Sequence, residues 1–235
     1  MNTINIHTRN FKWTTDLTLS HNKNKIKDLG VEADGSKIDD VISDRYIRRV
    51  GGPVSNLYLY EIEGVWQLDS EEKPWGPQGF NDYGLFKIKD QNKDSKIDKE
   101  DRVVKGSPEP KVSGGITNTF VYKNFSLNIV CTYMLGNKLY NVPKAYLQYG
   151  HPLFNTDEDF AAKHWTPENP TNEYERSSSQ RNNVGHMSSD GISLSSNKWL
   201  ENADFFKIAN IGFTYRLPLK ITNRIGVTNM QIGVS

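Results

Sequence analysis

Period-two alternation of apolar and polar residues constrains this chain more than any other feature of its sequence. In residues 10–20, Phe11 and Trp13 fall on one face of an extended strand, and Lys12 falls on the other. Similar alternation recurs in residues 57–66, 125–133, 205–215 and 230–234. One extra residue near Ala209 interrupts it, which is typical of a β-bulge. Helical periodicity is nearly absent, so we predict an all-β fold whose strands have one apolar and one polar face.

The links between these strands differ sharply in length. Short links occur at residues 8–10, 51–53, 122–124 and 218–224, and long polar links at 21–41, 67–113 and 135–203. Alternating short and long links are typical of an outer-membrane barrel with short periplasmic turns and long external loops. A compact soluble β domain keeps most of its connections short. We therefore predict an antiparallel transmembrane β-barrel segment of about eight strands, with long extracellular loops at 67–113 and 135–203.

Aromatic residues cluster near the ends of the predicted strands. Trp13 and Tyr122 are among those near short links, and Trp66 and Phe206 are among those near long links. Membrane barrels carry aromatic girdles at both interfaces. Strands favour aromatic residues in general, so this clustering supports the barrel less strongly than the link lengths do.

Charge and composition exclude several classes of function. The 235 residues contain 29 Lys and Arg against 28 Asp and Glu, a balance that argues against a nucleic-acid partner held by a broad basic surface. A single cysteine, Cys131, excludes an intramolecular disulfide and a thiolate zinc cluster. No apolar run approaches the roughly 18 residues of a membrane helix, whereas a barrel strand needs only every second residue to be apolar. No nucleophile-elbow, P-loop or dinucleotide motif is present, and we predict no enzymatic activity.

One acidic segment has the spacing of a cation-binding loop. Its oxygen donors match the ligand positions of an EF-hand and are Asp90, Asn92, Asp94, Lys96 (through its carbonyl), Asp98 and Asp101. Ser95 stands where glycine makes the sharp turn, and Asp101 replaces the bidentate glutamate. Two interpretations stay open: a structural Ca²⁺ site, or an acidic, solvated turn on an external loop.

Three tryptophans in the long links are weak candidates for substrate binding. Trp75, Trp165 and Trp199 could stack on sugar rings of a glycan. The alternative is that they pack loop against loop, and we favour this second interpretation.

A specific resemblance is carried by residues 83–110, YGLFKIKDQNKDSKIDKEDRVVKGSPEP. Three further pieces occur in the same order along the chain as in the family that this segment resembles. Residues 10–14 (NFKWT) precede the segment, and residues 164–170 (HWTPENP) and 210–218 (NIGFTYRLP) come after it. Together they resemble the C-terminal barrel region of the SusC/RagA family of TonB-linked outer-membrane proteins. The resemblance covers essentially all of residues 1–235.

The resemblance implies a function and a set of partners. It implies import of nutrients through the bacterial outer membrane, commonly of oligosaccharides and in some members of peptides. It also implies TonB coupling, contact with outer-membrane lipid and a SusD-like surface lipoprotein as a lid. Family members carry an N-terminal plug and a final strand that have no counterpart here, so we expect a fragment. The alternative from another class is a soluble, extracellular, Ca²⁺-stabilised β domain that binds glycans, with its apolar strand faces buried against a second sheet.

Overall fold

The computed structural model describes residues 1–74, 82–148, 155–177, 195–227 and 230–235. The chain divides into two compact units. Unit 1 comprises residues 1–23, 109–137 and 203–235, and unit 2 comprises residues 24–108 and 138–202. No helix among the described residues is long and apolar enough to cross a membrane.

Strands make up most of the regular structure. In chain order they are β1 (Asn2–His7), β2 (Phe11–Ser20), β3 (Asp40–Ser43), β4 (Tyr46–Arg49), β5 (Asn56–Tyr60), β6 (Ile62–Val65), β7 (Phe86–Ile88), β8 (Arg102–Gly106), β9 (Val112–Tyr122), β10 (Phe125–Leu135), β11 (Lys138–Tyr140), β12 (Leu200–Asn202), β13 (Phe205–Arg216) and β14 (Gln231–Val234). The helices are α1 (Val142–Leu147), α2 (Glu158–Lys163) and α3 (Leu219–Thr222), with 3₁₀ turns at Lys99–Asp101, Asn197–Trp199 and Asn223–Ile225.

Unit 1 is a six-stranded antiparallel sheet in the order β1-β2-β9-β10-β13-β14. Strands β9 and β10 pair in continuous register from Tyr122 opposite Phe125 to Val112 opposite Leu135. The predicted bulge is confirmed, because Val130 pairs with Asn210 and Cys131 with Ile208, which leaves Ala209 as the extra residue. Tight turns join β1 to β2 and β9 to β10, and both long excursions of the chain begin and end at the opposite end of the strands.

Unit 2 is a folded body with its own core. It contains a four-stranded sheet in the order β3-β4-β5-β8 and the two-stranded sheets β6-β7 and β11-β12. Its largest buried cluster draws side chains from both segments of the unit and comprises Leu57, Leu59, Val65, Phe86, Tyr140, Ala145, Trp165 and Trp199.

The predicted alternation of short and long links is wrong between residues 21 and 113. Residues 57–66 do form strands, but β5 and β6 belong to unit 2, and β2 pairs directly with β9. The turn at 51–53 therefore joins two strands of unit 2 rather than two wall strands. The predicted loop at 67–113 contains β7 and β8 and reaches into β9. The physical reason is that a strand with one face on a protein core alternates in the same way as a strand with one face toward lipid.

Candidate functional site

The sheet of unit 1 presents one mainly apolar face. The register places Trp13 beside Phe120, Phe120 beside Leu127, and Leu127 beside Phe213. The rings of Trp13 and Phe120 stack with centroids 5.5 Å apart. Farther along this face Phe206 is 62% exposed and Ile211 is 52% exposed. A contiguous exposed apolar surface across several strands is unfavourable in water and marks a surface that meets lipid or another molecule.

The opposite face of the same sheet is polar. Thr14 lies beside Thr119, and Thr119 lies beside Asn128. The Asn128 Nδ2 group donates a hydrogen bond of 3.0 Å to the Thr119 Oγ1 atom. The sequence-based prediction of strands with one apolar and one polar face is therefore confirmed, and the sheet can separate an apolar from an aqueous environment.

One polar cluster on the apolar face is not evident from the sequence pattern. Asn118 points to the same face as Ile129 and Thr15, which are its cross-strand neighbours. Its Oδ1 atom accepts hydrogen bonds from the Trp13 Nε1 group at 2.9 Å and from the Thr15 Oγ1 group at 2.6 Å. These bonds lower the cost of placing an amide on an apolar surface. Only the strand register brings these three residues together, because Trp13 and Asn118 are far apart in the chain.

The predicted cation loop is held together by hydrogen bonds from its backbone N–H groups to its own carboxylates. The two Asp90 carboxylate oxygens accept hydrogen bonds from the N–H groups of Lys93 at 2.6 Å and Ser95 at 2.8 Å. Ser95 has a φ of 62°, so it adopts the left-handed conformation that favours glycine at this position of an EF-hand. The Asp94 side chain accepts a hydrogen bond of 2.8 Å from the N–H group of Lys96.

Asp101 is the most enclosed residue of this acidic loop, with 0% exposure. Its carboxylate accepts hydrogen bonds of 2.8 Å from the N–H groups of Gln91 and Asp98. Burial is the main effect on the pKa of Asp101 and raises it. The hydrogen bonds from the backbone lower this pKa, the nearby charges of Asp90 and Asp98 raise it, and the net shift is upward.

The loop therefore has the turns of the predicted motif. Among the described residues, however, no three His, Cys, Asp or Glu side chains are grouped so that they could hold one metal ion. The Ca²⁺ site stays a prediction.

The candidate tryptophans that the structure describes are core residues. Trp165 is 6% exposed, and its Nε1 group donates a 2.8 Å hydrogen bond to the Gln67 Oε1 atom. Trp199 is 1% exposed and meets Phe86 edge to face at 6.4 Å between ring centroids. Neither indole presents a face on which a sugar could stack, so these two residues have the packing role that the sequence favoured, and they are not substrate-binding residues. Trp75 lies outside the described residues.

The two chain segments of unit 2 are joined by polar contacts that the sequence pattern does not reveal. The N–H group of Phe86 donates to the Glu175 Oε1 atom at 2.7 Å, and the N–H group of Ile62 donates to the Asn197 Oδ1 atom at 3.0 Å. Glu175 is 4% exposed, although its neighbourhood in the sequence is that of a solvated loop. These bonds satisfy buried backbone groups and tie residues 138–202 to residues 24–108.

Two curated proteins from Formosa agariphila are similar to this chain along its whole length. TonB-dependent receptor P26 is 31% identical over 238 residues, which span 99% of this chain and 23% of the receptor. TonB-dependent receptor P3 is 25% identical over 246 residues, which span 100% of this chain and 23% of that receptor. The chain thus spans less than a quarter of the length of these relatives. No protein-family profile matches it.

Solved structures of similar fold include the RagAB peptide transporter. That structure gives a TM-score of 0.71 at 17% identity and covers 100% of this chain and 25% of its own. The RagAB peptide importer in its closed-closed state gives a TM-score of 0.70 at 16% identity, again over 100% of this chain and 25% of its own. At this identity the likeness concerns the fold, and it confirms the predicted all-β barrel segment. Together, the two curated relatives and the shared fold support the resemblance carried by the sequence motifs, that of a SusC/RagA-type segment of a TonB-dependent receptor.

Proposed function

We propose that this chain forms part of the wall of an outer-membrane transporter that imports nutrients with energy supplied through TonB. The observation that carries the proposal is the two-faced antiparallel sheet of unit 1, whose apolar face is exposed. Lipid would cover the apolar face, and the polar face would line the aqueous interior. Both curated relatives are named as receptors rather than enzymes, which agrees with this role.

The soluble alternative fits this observation poorly. A glycan-binding β-sandwich would bury the apolar strand faces against a second sheet. Phe206 and Ile211 instead remain more than half exposed, and so does Ile232 at 59%. In water such a face would favour aggregation. In a bilayer an apolar outer face contacts the hydrocarbon core and is favourable.

Unit 2 is proposed to lie outside the cell. Its two segments leave and rejoin unit 1 at the end of the strands opposite the tight turns. In outer-membrane barrels the short turns face the periplasm and the long connections face outward. The predicted external loops would then be one folded domain near the entrance of the channel, available to contact a substrate or a SusD-like lipoprotein.

Oligosaccharides are the substrate class that we propose first, with peptides as the second class. The family resemblance favours glycans, while the structural neighbour is named as a peptide transporter. Uptake of labelled oligosaccharides and of labelled peptides by cells that carry or lack the receptor would decide between them. Uptake of either class that depends on TonB supports import, and unchanged uptake of both classes in the receptor-free cells contradicts it.

We also propose that the acidic loop of unit 2 binds Ca²⁺. The spacing of its oxygen donors and the left-handed conformation at Ser95 support this proposal. So does the enclosed carboxylate of Asp101, which lies near the like charges of Asp90 and Asp98. A bound cation would offset this repulsion and hold the loop, without taking part in any chemical reaction.

The membrane proposal is tested by a matched pair of charged substitutions in the full-length receptor. Ile211→Arg places a cation on the apolar face, whereas Asn210→Arg places the same cation next to it in β13 on the polar face. Arginine near the middle of a bilayer costs about 2–4 kcal/mol on the lipid face. We expect Ile211→Arg to reduce the yield of folded receptor in the outer membrane and Asn210→Arg to leave it unchanged. Equal yields of the two variants, or a receptor that is folded and monodisperse without detergent, would contradict the proposal.

A further inference from the structure

The positive charge of unit 1 is concentrated at one end of its sheet. We define the short-turn end as the described residues 7–12, 121–126, 215–227 and 230–231, at the tight turns and in the β13–β14 connection. It contains six Lys and Arg residues and no Asp or Glu, and the six are Arg9, Lys12, Lys123, Arg216, Lys220 and Arg224. The remainder of unit 1 contains three basic and three acidic residues. All the net charge of unit 1 therefore lies at the short-turn end.

These cations are available to an external partner. All six are exposed. Within the part of the chain that the structure describes, the ion pairs involve other residues. Lys12 and Arg216 extend from the polar face of the sheet, while Lys123, Lys220 and Arg224 lie in the connecting turns. Exposed cations without acidic neighbours repel one another, so an anionic partner would stabilise this end.

The β13–β14 connection adds exposed apolar side chains to the cations. Leu219 is 64% exposed and Ile221 is 51% exposed, and they alternate with Lys220 in α3. A segment that mixes exposed aliphatic side chains with cations and lacks acids is typical of the interface between headgroups and acyl chains. An acidic protein surface would account for the cations but would leave the aliphatic side chains unexplained.

Aromatic side chains mark the same level of the sheet. Tyr122 is exposed beside the turn, with the Lys123 Nζ atom 5.4 Å from the centroid of its ring. Trp13 lies two residues after the start of β2 on the apolar face. Aromatic residues at this level anchor barrels at the boundary between hydrocarbon and headgroups, which places the cations of the turns among the headgroups.

We propose that the short-turn end binds the anionic headgroups of phospholipids in the leaflet that it meets. The inference rests on the proposed function, which places the apolar face of unit 1 in lipid. In this arrangement Leu219 and Ile221 enter the acyl boundary, and Lys123, Lys220 and Arg224 contact lipid phosphates. The short-turn end would thereby select anionic over zwitterionic lipid and fix the depth of the wall in the membrane.

The test measures which lipid lies beside the β13–β14 connection in the full-length receptor. A fluorophore attached to Asn223→Cys, in a Cys131→Ser background, is placed in nanodiscs that contain phosphatidylcholine. Quenching by nitroxide-labelled phosphatidylglycerol is compared with quenching by nitroxide-labelled phosphatidylcholine. We expect the anionic lipid to quench more strongly, and the preference to weaken in 1 M salt because salt screens exposed charges.

One double variant tests whether the cations of the β13–β14 connection are responsible, and a second double variant is its control. Each cation near an anionic surface changes binding about fivefold, so Lys220→Ser with Arg224→Ser should lower the preference by up to about 25-fold. The control, Lys27→Ser with Lys37→Ser, removes the same charge from two exposed positions of unit 2 and should keep the preference.

Each of the other possible results contradicts the inference, and each shows whether the proposed function fails with it. An inserted receptor that shows no lipid preference refutes the anionic site and leaves the proposed function intact. A probe that neither lipid quenches in an inserted receptor shows that the connection does not touch the membrane and assigns the cations to a protein surface. A receptor that fails to enter the nanodiscs refutes the proposed function, and this inference with it.

Discussion

Replacement of Gly84 by alanine tests whether the long connections of this chain form a domain with a packed core. A methyl group at Gly84 would lie 2.8 Å and 2.9 Å from two ring carbons of Trp165 and still closer to a third. Trp165 is almost fully buried, so its ring has little room to move away. Gly84 also has a φ of 81°, which strains any residue that has a Cβ atom.

The magnitude of this effect has two separable parts. The left-handed backbone costs about 1–2 kcal/mol for alanine, and the steric overlap with Trp165 costs about 1–3 kcal/mol more. Gly35 provides the control, because its φ is 85° and a methyl group there would meet nothing within 4 Å. Gly35→Ala should therefore lose only the backbone part, so the difference between the variants isolates the packing of Trp165.

The assay is pulse proteolysis of unit 2 across a series of urea concentrations, with the full-length receptor in outer-membrane vesicles. With a urea dependence of about 1–3 kcal/mol per molar, the Gly84→Ala midpoint should lie roughly 1 M below that of Gly35→Ala. Equal midpoints for the two variants would refute the packing of Trp165 against Gly84. Cleavage of the unchanged receptor without urea would refute a folded unit 2.

Two further predictions concern the acidic loop. Asp90→Ala with Asp94→Ala should increase protease cleavage of this loop, and a chelator should do the same to the unchanged receptor but not to the variant; a chelator without effect on the unchanged receptor would count against a bound cation. Burial raises the pKa of Asp101 above its ordinary value of 3.8, so its carboxyl favours folding most below that value and loses this contribution as the pH rises through the raised pKa. With the chelator present, the urea midpoint of the unchanged receptor relative to Asp101→Asn should change over that pH window, and a constant difference would mean that folding does not raise the pKa of Asp101.

The alternation of residues determined the two faces of the strands because side-chain direction in a strand is a local property with a period of two. Phe11, Trp13, Leu127 and Phe213 could be assigned to one face from the sequence, and the structure confirms that assignment. The bulge at Ala209 was equally visible, since one extra residue shifts the alternation. The family resemblance was also carried by local motifs, and the similarity to the two receptors confirms it.

Only the tertiary structure decided which strands pair and what the long links become. Alternation in residues 57–66 predicts a strand but does not distinguish a lipid-facing wall from the protein core that these residues help to form. The burial of Trp165 and Trp199 depends on contacts between residues far apart in the chain, as in the bond from Trp165 to Gln67. Local sequence sets which way a side chain points, whereas chain topology sets what lies on that side. This is why the two-faced sheet of unit 1 was predictable and the packed domain of unit 2 was not.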